Sequence, residues 1–474
     1  MNVFRLACLA PLLVAACATR PPVPAGLQDC AQWYEDLDAR VAAQGVRDAQ
    51  ARPVEGFPYL RVNRLLAALR DEAAADVRKR DALVVRMQSL DAAARGVELA
   101  NLGAALDEAR ARDCGDRLRV AHLEDAEAAA RLLERATVPD DYSSVSRFFG
   151  LYALTKYPFF SGVSQYQADV RASFAAGLAG RPARRYAPPA APPFARSAQA
   201  EALARGAADP LGIPEPQGET LERLFAAHAP VFEVEQTGEF DFPGALHWPR
   251  SASMPAVDPS DVAVYRMASW TRYRGRVLLQ LVYTIWFAER PPASSPDLLA
   301  GKLDGVTWRV TLAPDGEPLV YDTMHPCGCY HMFFPTPRAQ PVEAPEAVLE
   351  WMFSPQPLRR VAEGERPVLR IATRTHYVER VTLVRDVGAG ARYALRPYDE
   401  LRSLPRPEGG RASAFGQDGL VAGTERAERW LFWPMGIDSA GAMRQWGRHA
   451  TAFVGRRHFD DADLLEKRFV LQLP

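Results

Sequence analysis

The residues best suited to chemistry crowd into one short segment, Met324-His325-Pro326-Cys327-Gly328-Cys329-Tyr330-His331-Met332. Two of the chain's eight histidines and two of its six cysteines fall here. Thiolate and imidazole are the ligands that zinc and copper favour. In a straight strand, residues 325, 327, 329 and 331 would point to one face. Six steps of extended chain span roughly 20 Å, however, whereas one ion holds its ligands at about 2.0–2.3 Å. The segment must therefore bend. Pro326 fixes one φ angle and Gly328 permits a positive one, so a tight loop is expected. Two or three loop ligands completed by a distant residue make the realistic set. The expected metal ligands are His325, Cys327, Cys329 and His331 with His376; His247 is a further candidate and Glu289 a weaker one. Zinc ranks before copper. Met324 and Met332 would add thioethers that suit Cu(I), but Phe333 and Phe334 follow, which reads as core packing.

Two other chemistries stay open for the same residues. Cys327 and Cys329 are close enough in sequence to form a small, strained and readily reduced disulfide, structural or redox-active. Alternatively, one thiol could act as a nucleophile with His325 or His331 as its base. A metal site with an open coordination position would make a metal-dependent hydrolase; a closed site would make a binding or structural protein. Asp322 is the one carboxylate beside the loop, which leans towards binding or structure.

The N-terminus carries an address. Arg5 gives a positive start, and residues 6–16 are apolar apart from Pro11. The stretch is shorter than the roughly 20 residues of a membrane-spanning helix and has the layout of a secretory signal. Its end, Val14-Ala15-Ala16-Cys17, resembles the lipobox of bacterial lipoproteins. That resemblance implies cleavage before Cys17 and acylation of its sulfur and new amine, with a tether over 17–27. Ala18 stands where an inner-membrane retention aspartate would, so the outer membrane, periplasmic face, is favoured. The rest of the chain is similar in general character to envelope lipoproteins of GC-rich Gram-negative bacteria, a likeness that carries no activity. With Cys8 in the signal and Cys17 acylated, Cys30, Cys114, Cys327 and Cys329 remain. An oxidising compartment favours pairing, most simply Cys30 with Cys114 and Cys327 with Cys329.

Composition excludes other classes. The 474 residues carry 57 basic and 58 acidic groups, a net charge of -1, with no basic stripe, so nucleic acid is not an expected partner. An envelope protein partner is possible in kind but not identifiable. No phosphate-binding loop, dinucleotide fingerprint, His-Glu-x-x-His or Gly-x-Ser-x-Gly is present.

The elements that must position the loop read as α+β: a helical N-terminal part followed by a domain built on an antiparallel sheet. Residues 28–180 form the helical part, with Leu65, Leu66 and Leu69, and Leu83, Met87 and Leu90, at helical spacing. Pro53 and Gly56-Phe57-Pro58 are expected to interrupt the first helix pair. The aromatic run Phe148 to Phe160 is read as packing between domains in preference to a lipid contact. A proline-rich linker is expected over 181–214 and the α+β domain over 215–474. Residues 277–287 read as a strand buried on both faces; 306–312 alternate and form a hairpin with 318–323 through Pro314-Asp315-Gly316. Asp304-Gly305 also reads as a turn. The end, 440–465, reads as mixed helix, with His449 and His458 at helix ends or on the surface and Asp460, Asp461, Asp463 and Glu466 at a solvated helix start. His122 is expected on a helix surface and His228 at a helix end.

Overall fold

The computed structural model describes residues 23–104, 107–176, 181–206 and 209–474. The signal, Cys17 and the first part of the tether lie outside the described residues.

Good helix formers give helices in the N-terminal part: α1 (Gln28–Ala43), α2 (Val77–Leu102), α3 (Glu108–Glu124) and α4 (Ala126–Arg135). Asp76 and Asp125 accept backbone N–H bonds at the starts of α2 and α4, satisfying donors that a helix leaves free. Pro53 and Gly56-Phe57-Pro58 do more than interrupt helices. They build a hairpin in which Arg52–Val54 pairs antiparallel with Phe57–Val62. Phe57 and Tyr59 of that hairpin pack with Leu65, Leu66, Leu83 and Met87. His122, expected at the surface, is covered by the hairpin and hydrogen-bonds the Tyr59 hydroxyl at 2.9 Å. Cys30 and Cys114 form a disulfide that joins α1 to α3. A final helix of this part, α5 (Tyr152–Ala175), lies against the loop region and contains Pro158.

The second part is built on a six-stranded sheet. β1 (Ala263–Tyr273), β2 (Arg276–Arg290), β3 (Gly301–Leu312), β4 (Pro318–Met324) and β5 (Met332–Pro335) follow one another antiparallel. β6 (Ala394–Pro397) adds parallel to β1 at one edge. A five-stranded mixed sheet packs nearby, with Arg366–Ile371 antiparallel to Val378–Val384 and parallel to Val231–Glu235. Val306, Trp308, Val310 and Leu312 share a core with residues of this second sheet, as their alternation predicts. The proline-rich stretch expected as a linker supplies one strand of that sheet, Ala183–Ala187, and a helix, Arg196–Gly206. Residues 189–193 between them are exposed and without regular structure. His228 ends the helix Gly218–His228, as expected, but is buried.

The other face of the large sheet is buried too. Thr307, Arg309 and Thr311 have almost no exposure, because the chain from about 398 to 471 folds over them. That segment satisfies its backbone mostly with turns, isolated bridges and very short helices and strands. No helix forms over 440–465, and His449 and His458 are buried instead of terminal. Asp460 pairs with Arg64, and Asp461 accepts the His458 backbone N–H. Neither is at a helix start.

Charged side chains tie the N-terminal helices to this covering segment. The Asp48 carboxylate accepts from Arg402 at 3.0 and 2.9 Å and from Gln445 at 2.7 Å. Arg61 reaches Asp91 at 3.2 Å and Glu98 at 2.6 Å in the same buried region. Buried charges are tolerated only when well partnered, so these pairs fasten the N-terminal part to the covering segment. Among the described residues, no helix is long and apolar enough to cross a membrane.

The disulfide closes a loop across a sequence separation of 84. A Cys30→Ser variant is expected to lose about 2–5 kcal/mol of unfolding free energy, through the chain freedom regained when unfolded. Urea unfolding of both proteins under non-reducing conditions measures it.

Candidate functional site

The Cys/His segment is a tight turn between β4 and β5. The His325 N–H donates to the Cys329 carbonyl at 3.0 Å, and the Gly328 N–H to the His325 carbonyl at 2.8 Å. Gly328 has φ +89°, and a Cβ there would lie 2.3 Å from the Ala450 carbonyl oxygen, so this position requires glycine. Gly305 is constrained by space alone: a Cβ would stand 2.6 Å from the Ile285 carbonyl oxygen and 3.0 Å from the Pro326 ring. Arg444 fastens the turn from outside. Its backbone N–H donates to the Pro326 carbonyl at 2.9 Å and its Nε to the Cys327 carbonyl at 3.3 Å.

This bend separates the two loop histidines. His325 Nδ1 bonds Asp304 Oδ1 at 2.9 Å, and His376 Nδ1 bonds Asp304 Oδ2 at 2.9 Å. Asp304, which reads as a turn residue in sequence, lies inside β3 and is fully buried. Arg426 stands 3.5 Å from Asp304 Oδ1, and the Gly305 N–H donates to the same oxygen at 2.9 Å. Burial works against the Asp304 charge, but His325 and Arg426 outweigh it and hold the carboxyl well below the usual range. His376 stacks flat on Phe287 with centroids 4.0 Å apart, and its Nε2 faces Asp241 at 3.5 Å. Burial disfavours its protonation, yet the carboxylates Asp241 and Asp304 raise its pKa.

His331 belongs to a different cluster. Its Nε2 bonds Asp322 Oδ2 at 2.9 Å, and Arg309, directly across the strands from Asp322, grips the same carboxylate at 2.9 and 2.5 Å. Burial lowers the His331 pKa to about 3. The ring is therefore neutral, Nε2 carries the proton and Nδ1 is a bare acceptor with no partner among the described residues. Cys327 and Cys329 lie together and unbonded. Burial disfavours both thiolates. The Cys329 thiol nevertheless donates to Cys327 and, with Arg426, lowers the Cys327 pKa while Cys329 keeps its proton.

The structure thus brings the two cysteines together, and His325 with His376, but holds His331 on another carboxylate. His247 is the exposed last residue of the short strand Ala245–His247, and Glu289 pairs with Lys302. Among the described residues, no three His, Cys, Asp or Glu side chains are placed to hold one ion.

The loop instead floors a cavity of about 450 Å³, within the roughly 300–1,000 Å³ range of small-molecule sites. Phe159, Gly162, Val163 and Tyr166 of α5 form one wall; Phe353, Phe432, Ile437 and Phe453 contribute others. Cys327, Cys329, His331, Tyr377 and Glu428 are among its polar groups. Tyr166, Tyr330 and Tyr377 pack edge to face or tilted, at 4.6–5.8 Å between centroids, and Arg290 lies over the Tyr377 ring. Glu350, also in the lining, is satisfied by the Val454 N–H at 2.8 Å and by Arg457 at 3.2 Å. Glu428 is not. No described residue hydrogen-bonds its carboxylate, and burial pushes its pKa up to about 7, against the pull of Arg426. Sequence reasoning missed Glu428 and Asp304, because neither stands in a recognisable motif and both gain their surroundings from distant chain.

Glu428 binds its proton more tightly folded than unfolded. Its stabilising contribution is therefore complete below the ordinary glutamate range and is lost as pH rises towards 7. A Glu428→Gln variant is expected to match the native protein below pH ~4.5 and to be more stable by about 1–3 kcal/mol at pH ~8. Thermal unfolding of both proteins across that range measures it.

No family model, curated protein or solved structure matches this chain in the comparisons made.

Proposed function

We propose that this chain is a lipid-anchored envelope protein, on the periplasmic face of the outer membrane, that binds an apolar small molecule in the cavity over its Cys/His loop. One observation carries the binding reading: a cavity walled mainly by aromatic and aliphatic side chains, with a few polar groups converging at its floor. Glu428, in the lining and with no hydrogen bond from a described residue, supplies one hydrogen-bonding group for the polar end of a ligand. The lipobox-like Val14-Ala15-Ala16-Cys17 supports the anchor.

Gly162 offers a test of the cavity. It lines the space, and a Cβ added there meets no atom within 4 Å. A fluorescent fatty acid is expected to bind the unacylated protein saturably, one per chain. Gly162→Ala should leave affinity nearly unchanged, and Gly162→Trp should weaken it at least tenfold, about 1.4 kcal/mol. No saturable binding, or equal binding by both variants, would remove the proposal.

A second reading keeps an ion. Two neighbouring thiols supply two of the three protein ligands that a catalytic zinc takes, zinc before copper, and a metal-dependent hydrolase would need a third group from the cavity lining beside its water. The same pair suits thiol–disulfide exchange. Elemental analysis of untagged protein tests the ion: about one zinc per chain, lost in Cys327→Ser/Cys329→Ser, supports it, and its absence removes it.

The anchor has its own check. Cells fed an alkyne fatty acid should label the protein, and Cys17→Ala should abolish both the label and cleavage before residue 17.

A further inference from the structure

Five aromatic side chains are exposed among the described residues, and all five lie in two segments: Phe148, Phe149 and Tyr157 in one, Trp430 and Trp433 in the other. Phe148 is 75% exposed, Phe149 71% and Trp430 72%. Leu151, Leu154 and Leu431 are more than half exposed beside them. The packing between domains expected of the 148–160 run therefore holds only for its partly buried members, such as Phe159, which rests on Phe432 at 5.3 Å.

The two segments are neighbours in space. Arg147 Nε donates to the Met435 carbonyl at 2.8 Å, and Gly150 lies close against Pro434. They also border the cavity, since Phe159, Leu431 and Phe432 belong to its lining. Soluble surfaces seldom collect large apolar side chains in this way without something to cover them.

Charge indicates what covers them. Between Asp141 and Asp169 the chain has no acidic residue, and none stands between Glu428 and Asp438. The cations Lys156 and Arg429 sit within the patch, over Tyr157 and Trp430 respectively, and neither is paired with a carboxylate among the described residues. Aromatic rings with a polar edge, leucines and unpaired cations, without carboxylates, match the boundary of an anionic lipid leaflet. A protein partner would need acidic groups of its own around an apolar centre, and nothing in this chain selects for one.

We infer that residues 148–157 and 430–433 form a membrane-docking surface that lays the cavity mouth on an anionic phospholipid leaflet. The surface stands on its own exposure and charge. Only the statement about the cavity mouth rests on the ligand reading above. Docking by this face would bring an acyl chain or another membrane-dissolved molecule to the cavity without passage through water, at a cost in hydration that the rim side chains offset by burial.

The test uses the chain from residue 17 onward with Cys17→Ala, so that no acyl group contributes. Vesicles of phosphatidylglycerol and phosphatidylcholine in equal parts are compared with phosphatidylcholine alone, in about 50 mM salt, where screening is modest. The protein should sediment with the anionic vesicles, with a blue shift of tryptophan emission. Phe148→Ser/Phe149→Ser/Trp430→Ser should weaken binding at least tenfold, and Lys156→Glu/Arg429→Glu several-fold on anionic vesicles only. Fatty-acid binding from solution should survive in both variants, which separates failure of the docking surface from failure of the cavity. Absence of vesicle binding, equal binding by the triple variant, or a cross-link in cells that places a soluble protein on Trp430 would overturn the inference.

Discussion

A single buried carboxylate, Asp304, is the point to which the surroundings of the loop are referred. It takes His325 from the loop, His376 from the second sheet's hairpin, Arg426 from the covering segment and a backbone N–H from Gly305. No one of these elements could leave without stranding a charge in a medium that cannot solvate it. The carboxylate therefore fixes three separate stretches of chain against its own strand at once. The floor of the cavity inherits its shape from that requirement, as does the turn that brings Cys327 and Cys329 together.

The same logic recurs at two other places. Asp322 holds Arg309 and His331 on the opposite side of β4, and Asp48 holds Arg402 and Gln445 between the N-terminal helices and the covering segment. Each is a charge cluster on a surface that would otherwise have been solvated. Their burial follows from one event, the return of the C-terminal chain over the outer face of the large sheet. Because that chain forms no helix over 440–465, it depends on these polar anchors and on side chains such as Tyr142, whose hydroxyl donates to the Ala452 carbonyl at 2.8 Å.

The cavity lies where three parts meet: the loop, α5 and the covering segment. Its polar groups differ in kind. Glu350 and His331 are held by hydrogen bonds, whereas Glu428 lines the space with no hydrogen bond from a described residue. The exposed aromatic rim continues the apolar walls outward to the surface. A site of this form suits a ligand that arrives from an apolar phase, and the expected lipid anchor would keep the protein beside one.

Much of the architecture was legible in the residues themselves. Helical spacing marked the N-terminal helices, unbroken β-branched and aromatic runs marked β2, and alternation marked β3 with its hairpin partner. Counting cysteines led to the Cys30–Cys114 disulfide, but the same count paired Cys327 with Cys329, which lie together unbonded; the crowding of sulfur and imidazole within seven residues singled out the loop. These are local properties, set by backbone preference and by the chemistry of near neighbours. The histidines show where local reasoning ends. His122, His449 and His458 look like surface residues in sequence and are buried, because what covers them comes from distant chain. Asp304-Gly305 looks like a turn and is the interior of a strand. The bend expected at Pro326 and Gly328 is there, but only the folded chain shows that it sends His325 and His331 to different carboxylates. The sequence by itself determined the longer helices and strands and where the chemistry-bearing side chains concentrate, but not the hairpin over 52–62, the strand at Ala183–Ala187 or the irregular course of 440–465. Only the tertiary structure decided which of those side chains meet, because burial and pairing depend on contacts across hundreds of residues that no local pattern encodes.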